Sequence, residues 1–100
     1  MTIQNYNLNI HYSAPDEVWL LLENLYKEMP FWSGETPPTW RDEEGHRIEV
    51  SVEPSGLQFY SELPDEEWEK WFTLFKKRAT ELLGYKIGEL EEGYSFYYWG

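Results

Sequence analysis

Apolar and polar residues alternate strictly at the start of the chain. Tyr6, Leu8, Ile10 and Tyr12 share one parity, and Asn5, Asn7, Asn9 and His11 share the other. Period two with one apolar side predicts a strand with one buried and one wet face. The period then lengthens. Val18, Leu22, Leu25 and Met29 recur at three- and four-residue spacing, flanked by Trp19 and Tyr26, which predicts an amphipathic helix. Ser13 can cap it, Pro15 suits its first turn, Asp16 stands where a capping-box carboxylate reaches back, and Pro30 ends it. Residues 31–45 keep no period and are punctuated by Gly34, Pro37-Pro38 and Gly45. A connection of about 15 residues is long for a small domain. This one carries Phe31, Trp32 and Trp40, so it is expected to fold back over the core.

Alternation returns at His46–Val52, with Ile48, Val50 and Val52 inward and Arg47, Glu49 and Ser51 outward. Glu53-Pro54-Ser55-Gly56 has turn chemistry, and Leu57 and Phe59 continue as a second strand, so the pair reads as a β-hairpin. A second helix opens at Pro64 with Asp65, Glu66 and Glu67 in its first turn, where the helix dipole favours negative charge. Its stripe is Trp68, Trp71, Phe72, Phe75, Ala79 and Leu82, and Gly84 is placed to cap its C-terminus. After Glu89, Glu91 and Glu92, the run Tyr94–Trp99 reads as a last aromatic strand. The order is β-α-β-β-α-β. Two amphipathic helices bury their stripes best on one face of a four-stranded antiparallel sheet. The expected class is therefore α+β, ferredoxin-like, strand order 4-1-3-2, with residues 1–100 as one domain.

Composition sharpens this picture. Six Trp, eight Tyr and five Phe must dominate the packing, each burying roughly 150–250 Å2. Nineteen acidic residues against eight basic ones give −11 at pH 7, which repels phosphate backbones and argues against nucleic-acid binding. Two readings of that charge stand side by side: it keeps an aromatic-rich protein soluble, or it steers the chain toward a basic partner. With no cysteine, sulfur chemistry is absent. The first residues lack a signal-peptide pattern, and no apolar stretch approaches the roughly 20 residues of a membrane span. A cytoplasmic protein without membrane attachment is expected.

Candidate chemistry is sparse. Glu43-Glu44, Glu66-Glu67 and Glu91-Glu92 could pair for acid–base work, but nothing nearby would separate their environments. His11 and His46 lack metal-ligand spacing, and Asp42-Glu43-Glu44-Gly45 lacks the alternating oxygen ligands of a calcium loop. No nucleophile elbow or phosphate-binding glycine loop occurs, and no catalytic residue, metal or cofactor is implied.

Binding surfaces are the richer expectation. His11, Gln58, Tyr60, Tyr97 and Trp99 could gather on the open face of the sheet, unless the long loop covers that face with Trp32 and Trp40 as a lid. Asp42, Glu43, Glu44, Glu89, Glu91 and Glu92 would form an acidic rim, and Trp32, Trp40 and Tyr60 would anchor contact. Tyr94–Trp99, as an uncharged edge, could pair with a second copy or accept a partner strand.

The runs Ser51–Tyr60, Glu66-Glu67-Trp68 and Arg78–Tyr85 resemble small bacterial proteins. In size and charge the chain resembles the immunity proteins that neutralise toxins of contact-dependent and polymorphic systems. That resemblance implies a non-enzymatic acidic inhibitor of a basic toxin such as a nuclease. The alternative is a small ligand-binding or sensing domain, dimeric through an edge.

Overall fold

The computed structural model describes residues 3–97. The opening alternation folds as β1 (Gln4–Leu8), and the first helical pattern as α1 (Asp16–Glu28). The long connection contributes a three-residue strand, β2 (Thr39–Arg41). The hairpin follows as β3 (Arg47–Glu53) and β4 (Gly56–Ser61), then α2 (Asp65–Leu83), then a 3-10 turn at Leu90–Glu92. Glu53 pairs with Gly56, so Pro54 and Ser55 alone close the hairpin. Gly56 takes φ +124°, and a Cβ there would collide with the Leu8 carbonyl of the adjoining strand.

The result is a small α+β domain with a four-stranded antiparallel sheet and two helices. The order is β1-β4-β3-β2. The first strand lies beside the second hairpin strand, as order 4-1-3-2 requires, but the fourth place in the sheet differs. Tyr94–Tyr97 form no strand, and Tyr98 and Trp99 lie outside the described residues. The fourth strand comes from the loop instead, on the far side of β3. The cause is Trp40, whose side chain is fully buried and whose indole N–H donates to the Tyr26 carbonyl at 2.9 Å. Burying that ring draws Thr39–Arg41 into register with Arg47–Glu49.

Register places Tyr6, Phe59 and Val50 side by side across the sheet, and Trp40, Ile48 and Ser61 in the next row. Both rows face the helices. Phe59 packs against Trp68, Trp71, Phe72 and Phe75 of α2, and Tyr26 of α1 stacks on Phe75 and meets Trp40 edge-on. The two helices thus share one face, and the other stays open.

Three local expectations change. Ser13 does not cap α1; Pro15 holds that position without a side-chain bond, and the Ser13 hydroxyl pairs with His11 Nδ1 at 2.6 Å. The first strand stops at Leu8, four residues short of Tyr12. Asn9, expected on the wet face, is only 2 % exposed. Gly84, by contrast, caps α2 in the left-handed region as its position predicts.

Candidate partner-binding surface

The open face carries the outward parity of the strands: Asn5 and Asn7 of β1, Gln58 and Tyr60 of β4, Glu49 and Ser51 of β3. Asn5, Pro37, Glu49, Ser51, Gln58 and Tyr60 border a shallow polar recess of about 290 Å3. The charges of this face answer one another. The Tyr60 hydroxyl donates to Glu62 at 2.8 Å, and Arg47 lies over the Tyr60 ring at 5.3 Å. Arg47 also sits 3.0 Å from Glu49 and 3.5 Å from Glu62. The bond from Tyr60, followed by Arg47, holds the Glu62 carboxyl below its ordinary range against partial burial. Beside it, Arg41 and the Ser33 hydroxyl hold Glu35 down at about 2.

Of the two alternatives for this face, the Trp32–Trp40 lid does not form. Trp32 bridges Trp40 in antiparallel fashion, and the rings meet at 5.6 Å on the helix side. Trp40 is therefore a core residue and not a contact anchor: a ring without exposed surface cannot touch a partner. Trp32 stays half-buried against it.

The acidic rim is divided. Asp42, Glu43 and Glu44 form the turn before β3, at the end of the sheet where Ile48 meets Ser61. Glu89 bridges Leu8, which pairs with Leu57 at the other end. Leu57 to Ser61 is about 13 Å of strand, so the two acidic groups flank the sheet from opposite ends. Asp42 is committed to its own turn, accepting from the amides of Glu44 and His46 and from His46 Nδ1, each at 2.9 Å. Glu43 and Glu44 are exposed.

Glu89 is largely covered, 3.8 Å from Lys76. Burial, reinforced by Glu92, pushes its carboxyl above the ordinary range. Glu91 and Glu92 are exposed. Tyr97 stacks on Tyr85 at 5.0 Å, and His11 lies tilted against Tyr12 and meets Phe96 edge-on, so these rings gather beyond the end of β1, not with Tyr60. Trp99 lies outside the described residues.

Two features escaped the sequence reading. One is a second acidic grouping. Asp65 accepts a bond from the Gln4 side chain, and Tyr6 donates to Gln4 at 2.9 Å. The Tyr6 phenol is raised first by burial and then by Glu89, Asp65, Glu69 and Glu91, and two of these carboxylates adjoin β1 directly, Asp65 at Gln4 and Glu89 at Leu8. The sequence places Glu89 and Glu91 in the acidic rim and Asp65 in the helix's first turn, and nothing in the spacing brings them together.

The other is an apolar hollow of about 500 Å3 between α1 and the Pro37-Pro38 loop, bordered by Trp19, Glu23, Tyr26, Val52 and Leu57. Val52 has the inward parity but lies 49 % exposed at its mouth.

No helix among the described residues is long and apolar enough to cross a membrane, and no group of three or more His, Asp or Glu among them could hold a metal ion. No protein-family model, curated protein or solved structure matches the chain.

Proposed function

We propose that this chain is a non-enzymatic binding domain that docks against a basic protein, acting in the cytoplasm as an immunity-type inhibitor of a cationic toxin. The carrying observation is the excess of uncompensated carboxylates. The chain is −11, and exposed residues such as Glu43, Glu67, Glu69 and Glu91 have no Lys, Arg or His within ion-pair range among the described residues. Such a field speeds encounter with a cationic surface and disfavours other partners.

Affinity capture from cells, then titration of the purified pair at rising salt, tests this reading. The captured protein is basic, loses its activity on binding, and binds less tightly as salt increases. Affinity independent of salt would remove the electrostatic basis of the proposal.

A second reading is supported by the hollow beside Trp19, whose volume lies within the range of small-molecule sites. In that reading the chain binds a small apolar or aromatic ligand there. A thermal-shift screen of metabolites would then show a stabilising compound whose effect Val52→Lys abolishes. A hit insensitive to that change would place the ligand elsewhere.

A further inference from the structure

Among the described residues, β1 is an outermost strand with no strand paired beyond Gln4–Asn7, and the Leu90–Glu92 turn packs against it from the Leu8 end. Only its end is engaged, where Leu8 bridges Glu89 and the Asn9 amide donates to the Gly88 carbonyl at 3.0 Å. Backbone groups alternate sides along a strand. The Asn9 bond therefore assigns the outward direction to the odd-numbered residues, so Ile3, Asn5 and Asn7 turn their amides and carbonyls away from β4. Ile3 is 56 % exposed and Asn5 is exposed.

Edge strands are ordinarily protected by charge, proline or a bulge. Residues 1–15 contain no Asp, Glu, Lys or Arg, although such residues make up 27 % of the chain, and Pro15 lies well beyond β1. This edge has none of the usual guards along Ile3–Asn7.

The surroundings determine what it can accept. Every second side chain of an added strand would point to the α2 side, where Asp65 and Glu69 stand one helical turn apart. Glu91 stands at the far end of the same edge, beside the Glu89–Lys76 pair. A second copy would bring a matching Asp65, Glu69 and Glu91 against these, whereas lysine or arginine side chains would neutralise them.

We propose that the outer edge of β1 takes up an extended segment of the basic partner as an added strand, with its Lys or Arg side chains facing Asp65 and Glu69. The inference rests on the reading of the chain as a binder of a basic protein. Main-chain bonds from Asn5 and Asn7 would supply affinity, and the carboxylates would select the sequence.

The test uses the full chain with three labelled peptides: alternating lysine and valine, alternating glutamate and valine, and a helix-forming peptide of the same lysine content. Fluorescence anisotropy reads binding, and amide hydrogen exchange by NMR reads its location. The extended lysine peptide binds about tenfold or more tightly than either other peptide, and the Asn5 and Asn7 amides become protected.

Asn5→Pro removes an outward donor while sparing the ladder to β4, a position where edge strands tolerate proline. It weakens the extended peptide by about tenfold. Glu69→Lys combined with Glu91→Lys also weakens it. The exchange measurement on the unaltered protein does not depend on either variant folding.

Equal binding of both lysine peptides, without protection at Asn5 and Asn7, would overturn the edge proposal and leave the basic-partner reading intact. Binding of neither lysine peptide, even at low salt, would remove both. A dimer in sedimentation that Asn5→Pro dissociates would assign the edge to a second copy and overturn the proposal.

Discussion

The two faces of this sheet differ in how their residues are satisfied. On the helix side, Phe59, Trp40, Trp71 and Phe75 interlock at centroid separations such as 4.9 Å for Trp40–Trp71 and Phe59–Phe75. That face is held by area and shape, which pH and salt barely touch. On the open side, Arg47 forms ion pairs with Glu49 and Glu62, and Tyr60 donates to Glu62. A polar face is therefore not automatically a binding face: much of its charge is already spent internally. The uncompensated carboxylates lie elsewhere, on the first turns of α2 and at the ends of the sheet. Sequence parity separates the two faces well but cannot distinguish charge that is paired from charge that is available.

Trp40→Ala gives the hardest test of this contrast. It empties a fully buried site and removes one of the two donors to the Tyr26 carbonyl, leaving the Met29 amide. Its expected cost is about 3–5 kcal/mol, measured by denaturant unfolding and unchanged by salt. A loss under about 1 kcal/mol would mean that Trp40 does not pin the short strand, and that the helix-side face is less tightly interlocked than its ring contacts imply.

Asn9→Ala probes the boundary between the two regimes, a polar side chain on the strand face that parity assigns to water. Its amide nitrogen donates to the Lys86 and Ser95 carbonyls, and its oxygen accepts from the Gly88 amide, each at 2.9 Å. Truncation leaves those backbone groups without partners, at an expected cost of about 1–3 kcal/mol. Amide exchange should accelerate first around Gly88, before the hairpin is affected. Uniform acceleration across the sheet would show instead that Asn9 supports the whole fold and not the C-terminal segment alone.

These two residues also mark where the sequence was legible. The hairpin, both helices and the left-handed Gly84 cap follow from short-range periodicity and turn chemistry, because each is fixed by residues close in sequence, while the neighbouring of the first strand with Gly56–Ser61 follows from the need to bury both helices on one face of the sheet. The fourth strand was not legible, since three residues are too few for a period and Trp40 reaches its place only through Tyr26 and α2. Asn9 was misread because alternation treats a side chain bonded to distant backbone like one bonded to water. Among the candidate site residues, Glu43, Glu44, Glu91 and Glu92 are exposed as expected, while Asp42, Glu89 and Trp40 are occupied by local bonds, a cation or packing. Spacing could not show that the two acidic runs stand at opposite ends of the sheet.

The mildest perturbation separates the regimes by pH. His46 is raised above its ordinary 6.5, first by the bond to Asp42 and further by Glu44 and Glu67. Burial works to raise Asp42, but the bonds from the His46 ring and from the amides of His46 and Glu44 outweigh it, so its carboxyl lies below the ordinary 3.8. The histidine contribution to stability is complete below 6.5 and fades as pH rises through the elevated folded value. The aspartate contribution is complete above 3.8 and fades as pH falls through the lowered one. The pair is therefore fully expressed between 3.8 and 6.5.

Asp42→Asn keeps an oxygen for the two turn amides but removes the charge. The midpoint of the His46 ring titration, followed by NMR, should fall, because burial of the ring is then opposed only by Glu44 and Glu67. The stability the pair adds within that window, and its loss above 6.5 and below 3.8, should shrink with it. Trp40→Ala, in contrast, should lower stability by the same amount at every pH in the window, because neither its ring contacts nor its bond to a backbone carbonyl titrates. An unmoved His46 midpoint in Asp42→Asn would transfer control of the ring to Glu44 and Glu67, and the turn would be governed by the diffuse acidic field and not by a specific bond.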